Sequence, residues 1–250
     1  MTSKDIILVP IGFTDQSLVA LQQAVIIAKR TNSELFLLSV VEMPTALQKI
    51  FSDYEKKQKQ FKDKLRENLV ELSNKYCKGV SNVKCLVSNG KIYEEITDIA
   101  ESVGASLIIM GTDGTPKDIK KKFIGSNANN VVRSAPCPVI TIKGKSVRKA
   151  CDLIALPLDL NKETREKVTN AIQFARLFNS KVRAFSVTYS DDDDSVKNKL
   201  NRTLSQVSDF ISTKGIECST ELLEISSSAS FSGSIVKYTE NINADLIMIM

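Results

Sequence analysis

Histidine and tryptophan are both absent from this 250-residue chain. Without His, the Ser-His-Asp and Cys-His forms of nucleophilic catalysis are excluded, as are the HExxH metalloprotease motif and zinc fingers with His ligands. Cysteine is scarce: Cys77, Cys85, Cys137, Cys151 and Cys218 are odd in number, and none stands in a CxxC spacing. That argues against a disulfide framework or a four-cysteine zinc site and fits the reduced, structural thiols of a cytoplasmic protein. Long apolar runs are missing too, none approaching the ~18–20 residues that span a bilayer, so no membrane partner is expected. The opening MTSKDIILVPIGF has no basic stretch ahead of a long apolar core, so no secretory signal is expected. What the chain does have is 42% hydrophobic and 25% charged residues, enough to bury a core, over a length suited to one or two domains of ~100–150 residues.

Charge is unevenly spread. Residues 1–150 carry 23 basic and 15 acidic side chains, and residues 151–250 carry 11 and 14. A boundary near the basic stretch KGKSVRKA (143–150) follows, giving units at 1–145 and 150–250. The chain also repeats itself. DIILVPIGFTDQSLVALQQAVIIAKRTNSELFLLSV (5–40) aligns without a gap with DLIALPLDLNKETREKVTNAIQFARLFNSKVRAFSV (152–187) at an offset of 147. Asp5/Asp152, Pro10/Pro157, Ala24/Ala171, Ala28/Ala175, Asn32/Asn179 and Ser33/Ser180 are identical pairs. GASLIIM (104–110) matches NADLIMI (243–249) at an offset of 139.

Each copy alternates strand and helix. IILVPI (6–11) is a short apolar run closed by Pro10 and Gly12, which reads as a buried parallel strand. Leu18, Leu21, Ala24, Val25 and Ala28 recur at helical spacing behind it. Strands are expected at 34–41, 83–88, 106–111 and 138–142, with helices over 52–76 (stripe Tyr54, Phe61, Leu65, Leu69, Leu72) and about 92–102. Strand–helix alternation implies right-handed crossovers and an α/β, doubly wound, Rossmann-like parallel sheet in each unit. A ligand of such a sheet sits beyond the strands' carboxyl ends, where the strand order reverses.

The fourth strand runs into GTDGTPKDIKKKFIGSNANNVVRSAPCPVITI. Gly111 and Gly114 follow the strand directly, and Gly125-Ser126 opens the next helix. Glycines let backbone N–H groups approach an anion closely, and Ser126 is placed to cap a helix whose N-terminus attracts phosphate. Lys117 and Lys120–Lys122 add positive charge. The spacing is neither GxxxxGK[ST] nor GxGxxG, and an ordinary capped strand-to-helix connection would look similar.

G-x2-G-x10-G-S after a strand ending in Met-Gly resembles the nucleotide loop of the universal stress protein family, G-x2-G-x9-G-[ST], with one extra residue here. ILVPIGFTDQS resembles that family's first strand and APCPVITI its closing strand. The resemblance implies tandem units with strand order 3-2-1-4-5 and ATP, with or without Mg²⁺, held between strands 1 and 4. Carried over residue by residue, Pro10 and Gly12 end strand 1, Val40 lies near the adenine, and Met110, Gly111, Gly114, Gly125, Ser126 and Asn127 form the ribose and phosphate cradle. No catalytic residue and no metal ligand is implied. The family usually has Asp where Gly12 stands; losing a charge-assisted hydrogen bond costs ~1.5–3 kcal/mol. The second copy has Asp159 at that position, but the sequence stops at Met250 where its glycine loop would begin; either the second unit is incomplete by design or the sequence has been cut, and the apolar DLIMIM reads more as a cut strand. The second unit therefore lacks its last helix and strand here, and at most one ATP per chain is expected, in the first unit.

Three function classes stay open: an ATP-binding cytoplasmic stress-response regulator without dedicated catalysis; a non-nucleotide-binding dimerisation module of the same fold; and an adenine-nucleotide hydrolase. The resemblance further implies a homo-oligomer pairing through strand 5, Pro138–Ile142. Nucleic acid is not expected, since no aromatic residues interleave the basic ones. Asp191–Asp194 reads as a flexible acidic loop and Ser226–Ser234 as a mobile connection.

Overall fold

The computed structural model describes residues 5–42, 54–112, 125–144, 146–160 and 164–249, with the side chains of 54–58 left out. Among these, the chain divides into two compact units, Met1–Val147 and Arg148–Met250.

The first unit runs β1 (Ile6–Pro10), α1 (Asp15–Thr31), β2 (Glu34–Val41), α2 (Tyr54–Tyr76), β3 (Val83–Asn89), α3 (Ile92–Val103), β4 (Leu107–Gly111), α4 (Ser126–Ser134) and β5 (Val139–Ile142). Its five strands are all parallel in the order β3-β2-β1-β4-β5. Apolar residues on successive positions of β1, β2 and β4 are buried because helices cover both faces. Leu8, Phe36, Leu38, Ile108 and Met110 pack with Ile96 and Ala100 of α3 and with Ala128 and Val131 of α4. Strand alternation turns Ile7, Val9, Leu35, Leu37 and Ile109 to the opposite face, and all five are fully buried.

The second unit follows with β6 (Leu153–Pro157), α5 (Thr164–Phe178), β7 (Lys181–Tyr189), α6 (Asp194–Thr213), β8 (Cys218–Ile225), α7 (Phe231–Asn241) and β9 (Leu246–Ile247). Its sheet has order β8-β7-β6-β9, the first unit's order without a fifth strand. One face carries a large core, in which Ile154, Leu156, Val182, Leu204 and Ile211 meet α5 and α6. On the α7 face the buried set is Ala155, Phe185 and Val187.

The repeat has a hydrogen-bonding reason. Asn32 and Asn179 both take the left-handed conformation that ends a helix, at φ 56° and 57°. The following Ser33 and Ser180 then donate from the backbone to Ala28 and Ala175, at 3.0 and 2.8 Å. Ile11 N–H reaches the Leu38 carbonyl at 2.7 Å, and Leu158 reaches Phe185 at the same distance. Gly104 and Asn243 are likewise both left-handed, at 64° and 53°. The identical pairs Ala28/Ala175, Asn32/Asn179 and Ser33/Ser180 are therefore those that turn the chain from helix into strand.

Three expectations are corrected. Phe61 is not part of the buried stripe of α2: it is 49% exposed, and of Phe61, Leu65, Leu69 and Leu72 only Leu69 is fully buried. The run Asp191–Asp194 is an ordered turn and cap. Asp192 accepts from Thr188 Oγ1 at 2.6 Å and Tyr189 N at 2.7 Å, and Asp193 caps α6 by accepting from Ser195 N at 2.7 Å. These donors hold both carboxyls below the usual aspartate range. Finally, the serine run enters α7 directly, with Ser230 as its N-cap accepting from Gly233 N at 3.2 Å.

Candidate functional site

In the first unit the strand order reverses between β1 and β4, which pair as Ile7 with Leu107 and Leu8 with Ile108. Strand alternation from Leu8 puts Pro10 on the α3/α4 face, the face on which Met110 packs. Val40, at the carboxyl end of β2, packs against the same cluster. Pro10, Val40 and Met110 thus line one face of the sheet's carboxyl edge, with Met110 buried and the other two half-buried. Sheets of this kind bind ligands in that crevice.

Beyond β1 the chain must turn into α1. Gly12 is exposed, and a Cβ built there meets no described atom within 4 Å. A carboxylate-bearing side chain therefore fits. Phe13 takes the left-handed conformation at φ 55°, uncommon for a bulky residue, and the residue is 38% exposed. Leu160, its partner in the repeat, is not among the described residues with positive φ. Thr14 and Ser17 then form a reciprocal capping box on α1: Ser17 N to Thr14 Oγ1 at 3.2 Å, and Thr14 N to Ser17 Oγ at 3.0 Å.

Two residues that the motif did not single out organise the other wall. Gln16, in the first turn of α1, accepts through Oε1 from Thr112 N at 3.1 Å and Thr112 Oγ1 at 2.9 Å. Thr112 is buried, and its carbonyl accepts from Gly125 N–H at 2.8 Å. The start and finish of the glycine-bearing connection are thereby drawn together. Its interior, with Asp113, Gly114, Lys117 and Lys120–Lys122, lies outside the described residues. Gly111 has a packing reason of its own: a Cβ there would stand 2.9 Å from the backbone carbon of Gln16. No sequence signal marked Gln16, because an exposed-looking Gln in a helix's first turn carries no motif.

Ser126 does not cap α4. Gly125 occupies the N-cap position, without a side-chain bond, and Ser126 is the first helical residue, exposed. The first bond of this helix is Asn129 N–H to the Gly125 carbonyl at 3.0 Å. The N–H groups of Ser126, Asn127 and Ala128 precede it and are the ones an i→i−4 ladder leaves free for an anion. Ser126 and Asn127 thus present backbone N–H groups at the start of α4, one residue further into the helix than a Ser126 cap would put them.

The remaining chemistry is muted. Burial pushes the Cys77 thiol up to about 11 and also raises Cys85, Cys137, Cys151 and Cys218. All five are unbridged, and thiols held protonated are weak nucleophiles. Among the described residues no three His, Cys, Asp or Glu side chains gather as a metal site, and no helix is long and apolar enough to cross a membrane. In the second unit, the buried Lys167 replaces Ala20 of the repeat and donates to the Pro157 carbonyl at 3.3 Å, at the end of β6.

Known proteins share this architecture. A protein of Staphylococcus epidermidis named as a universal stress protein is 30% identical over 149 residues, covering 57% of this chain and 86% of its own. One of Staphylococcus aureus is 29% identical over 143 residues, covering 55% and 82%. A crystal structure of a universal stress protein from Archaeoglobus fulgidus aligns over 99% of this chain and 86% of its own, with TM-score 0.77 at 21% identity. One from Pseudomonas aeruginosa aligns over 98% and 81%, with TM-score 0.67 at 18% identity; both likenesses concern the fold. The model of the universal stress protein family matches residues 4–143, more than half of the chain and the whole of the sheet just described. The chain belongs to the universal stress protein family.

Proposed function

We propose that the first unit binds ATP and that the protein acts in the cytoplasm as a nucleotide-responsive stress regulator without dedicated catalysis. The observation that carries this reading is the Gly125-to-Thr112 hydrogen bond of 2.8 Å. It draws the start of α4 to Thr112, just past the carboxyl end of β4, which supports a reading in which the first-turn amides of α4 serve phosphate while Pro10, Val40 and Met110 serve the base. Apolar side chains suit an adenine ring, and helix-terminal amides suit phosphate. In this reading Gly111 and Gly125 keep the backbone open to the ribose and phosphates, with Gly114 contributing from the connection. Mg²⁺ accompanying ATP would neutralise phosphate charge while keeping most of its waters. The chain has no His to serve as base, which fits at most slow hydrolysis.

Gly12 is the departure that sets the affinity. A Cβ at Gly12 meets no described atom within 4 Å, which supports reading the missing carboxylate as a lost hydrogen bond. A second reading, a dimerisation module without nucleotide, is favoured by the purely steric reason for Gly111. Both readings share association through β5, whose outer side is the edge of the sheet. Mass spectrometry of small molecules released from the purified protein separates them: adenine nucleotide supports the first, and none, together with no heat on titrating ATP, supports the second.

A further inference from the structure

The carboxyl end of β3 holds a polar group that the fold does not use. Ser88 Oγ is buried and has no hydrogen-bond partner among the described residues. A hydroxyl buried without a partner costs free energy, and native structures keep such groups for a reason. Ser88 pairs in register with Val40. Leu86, two residues earlier on the same strand, packs in the α3/α4-side cluster with Val40 and Met110. Alternation puts Ser88 on that same face, extending the row of Pro10, Val40 and Met110 by one strand. Asn89 Oδ1 is also unpartnered, but alternation turns it, with Val41, to the opposite face.

The second unit supplies an internal comparison. Val187, the repeat partner of Val40, pairs in register with Leu223. Leu223 packs into the α7-side core. An apolar residue therefore satisfies this position of the fold, and the first unit carries a hydroxyl there instead.

We infer that Ser88 is a specificity residue of the first unit: its hydroxyl hydrogen-bonds the polar edge of the base of a nucleotide whose ring lies over Val40. The inference rests on the ATP-binding reading above and adds to it which side chain recognises the base. A base edge offers ring-nitrogen acceptors and an exocyclic amino donor, and a hydroxyl serves either. Bound base thus satisfies a group that the empty fold leaves unpaired.

The test compares wild type with Ser88→Ala in two measurements. In calorimetric titration, ATP affinity falls roughly tenfold in the variant, while competition by inorganic tripolyphosphate, which has phosphates and no base, is unchanged. In thermal unfolding without ligand, Ser88→Ala melts at the same temperature as wild type or higher, because a buried unpaired hydroxyl has been removed. Equal ATP affinity in the two proteins overturns the inference while leaving ATP binding intact. Equal losses for ATP and tripolyphosphate also overturn it, as does a melting point lowered by several degrees, the mark of a hydroxyl serving the fold. Wild type that binds tripolyphosphate but not ATP, or neither, overturns the nucleotide reading and this inference with it.

Discussion

At the scale of single residues, the β1–α1 turn concentrates what is unusual in the first unit. Phe13 sits at φ 55° and is exposed, so little packing is lost if the side chain is removed. Left-handed backbone costs a non-glycine residue of order 1 kcal/mol. Phe13→Gly is therefore expected to raise stability by about 0.5–1 kcal/mol in denaturant unfolding; a clear loss would mean that the ring is anchored. A Cβ at its neighbour Gly12 meets no described atom within 4 Å, and the second unit already carries Asp159 at the matching place. Gly12→Asp should strengthen ATP binding several-fold, read by titration; an unchanged or weaker affinity would show the pocket reshaped around glycine. Gly111 is the opposite case. Its Cβ would lie 2.9 Å from the Gln16 backbone, so Gly111→Ala is expected to cost about 1–3 kcal/mol of stability even without ligand.

At the scale of elements, the helices show how far one sequence discloses local structure. Asn-Ser after Ala at the ends of α1 and α5 was legible as a repeat, and its reason is the left-handed cap that both copies adopt. Periodicity located α2, but it could not show that Phe61 lies beyond the sheet's cover while Leu69 lies beneath it. Ser126 looked like a cap because Gly-Ser often opens helices; the structure begins the helix one residue earlier, and the side chain is left exposed. The aspartates before α6 looked solvated because their partners are backbone and hydroxyl groups, which no charge pattern reveals. Those partners hold Asp192 and Asp193 below the ordinary aspartate pKa. A depressed folded-state pKa contributes stability that is present above the unfolded value and lost as pH falls through the folded one. The double variant Asp192→Ala/Asp193→Ala should thus melt lower than wild type at pH 7, with the difference shrinking below about pH 4. A difference that persists at lower pH would show that charge is not what these side chains contribute.

At the scale of the whole molecule, the parallel α/β class and the tandem arrangement followed from short apolar runs, crossover helices and the 147-residue offset, while the strand order followed from the family resemblance. The wall of the candidate site did not. Gln16, Thr112 and Ser88 come from three separate segments, and only the closed sheet shows that Gln16 ties β4 to α1 and that Ser88 joins the row of Val40. β5 ends the first sheet with one side unpaired by any other strand of that sheet, and exposed strand edges favour pairing with another chain. Light scattering is expected to show association at high micromolar concentration, reduced by a Thr141→Pro substitution that removes a backbone donor from the edge strand. ATP binding by the first unit requires the glycine-bearing connection to act as a phosphate cradle. Gly125 has φ −57°, a conformation open to any residue, so Gly125→Val tests close backbone approach without straining the chain. Titration calorimetry of ATP into wild type and Gly125→Val should give saturable binding in the first and none in the second, and equal binding in both, or none in wild type, would contradict the account.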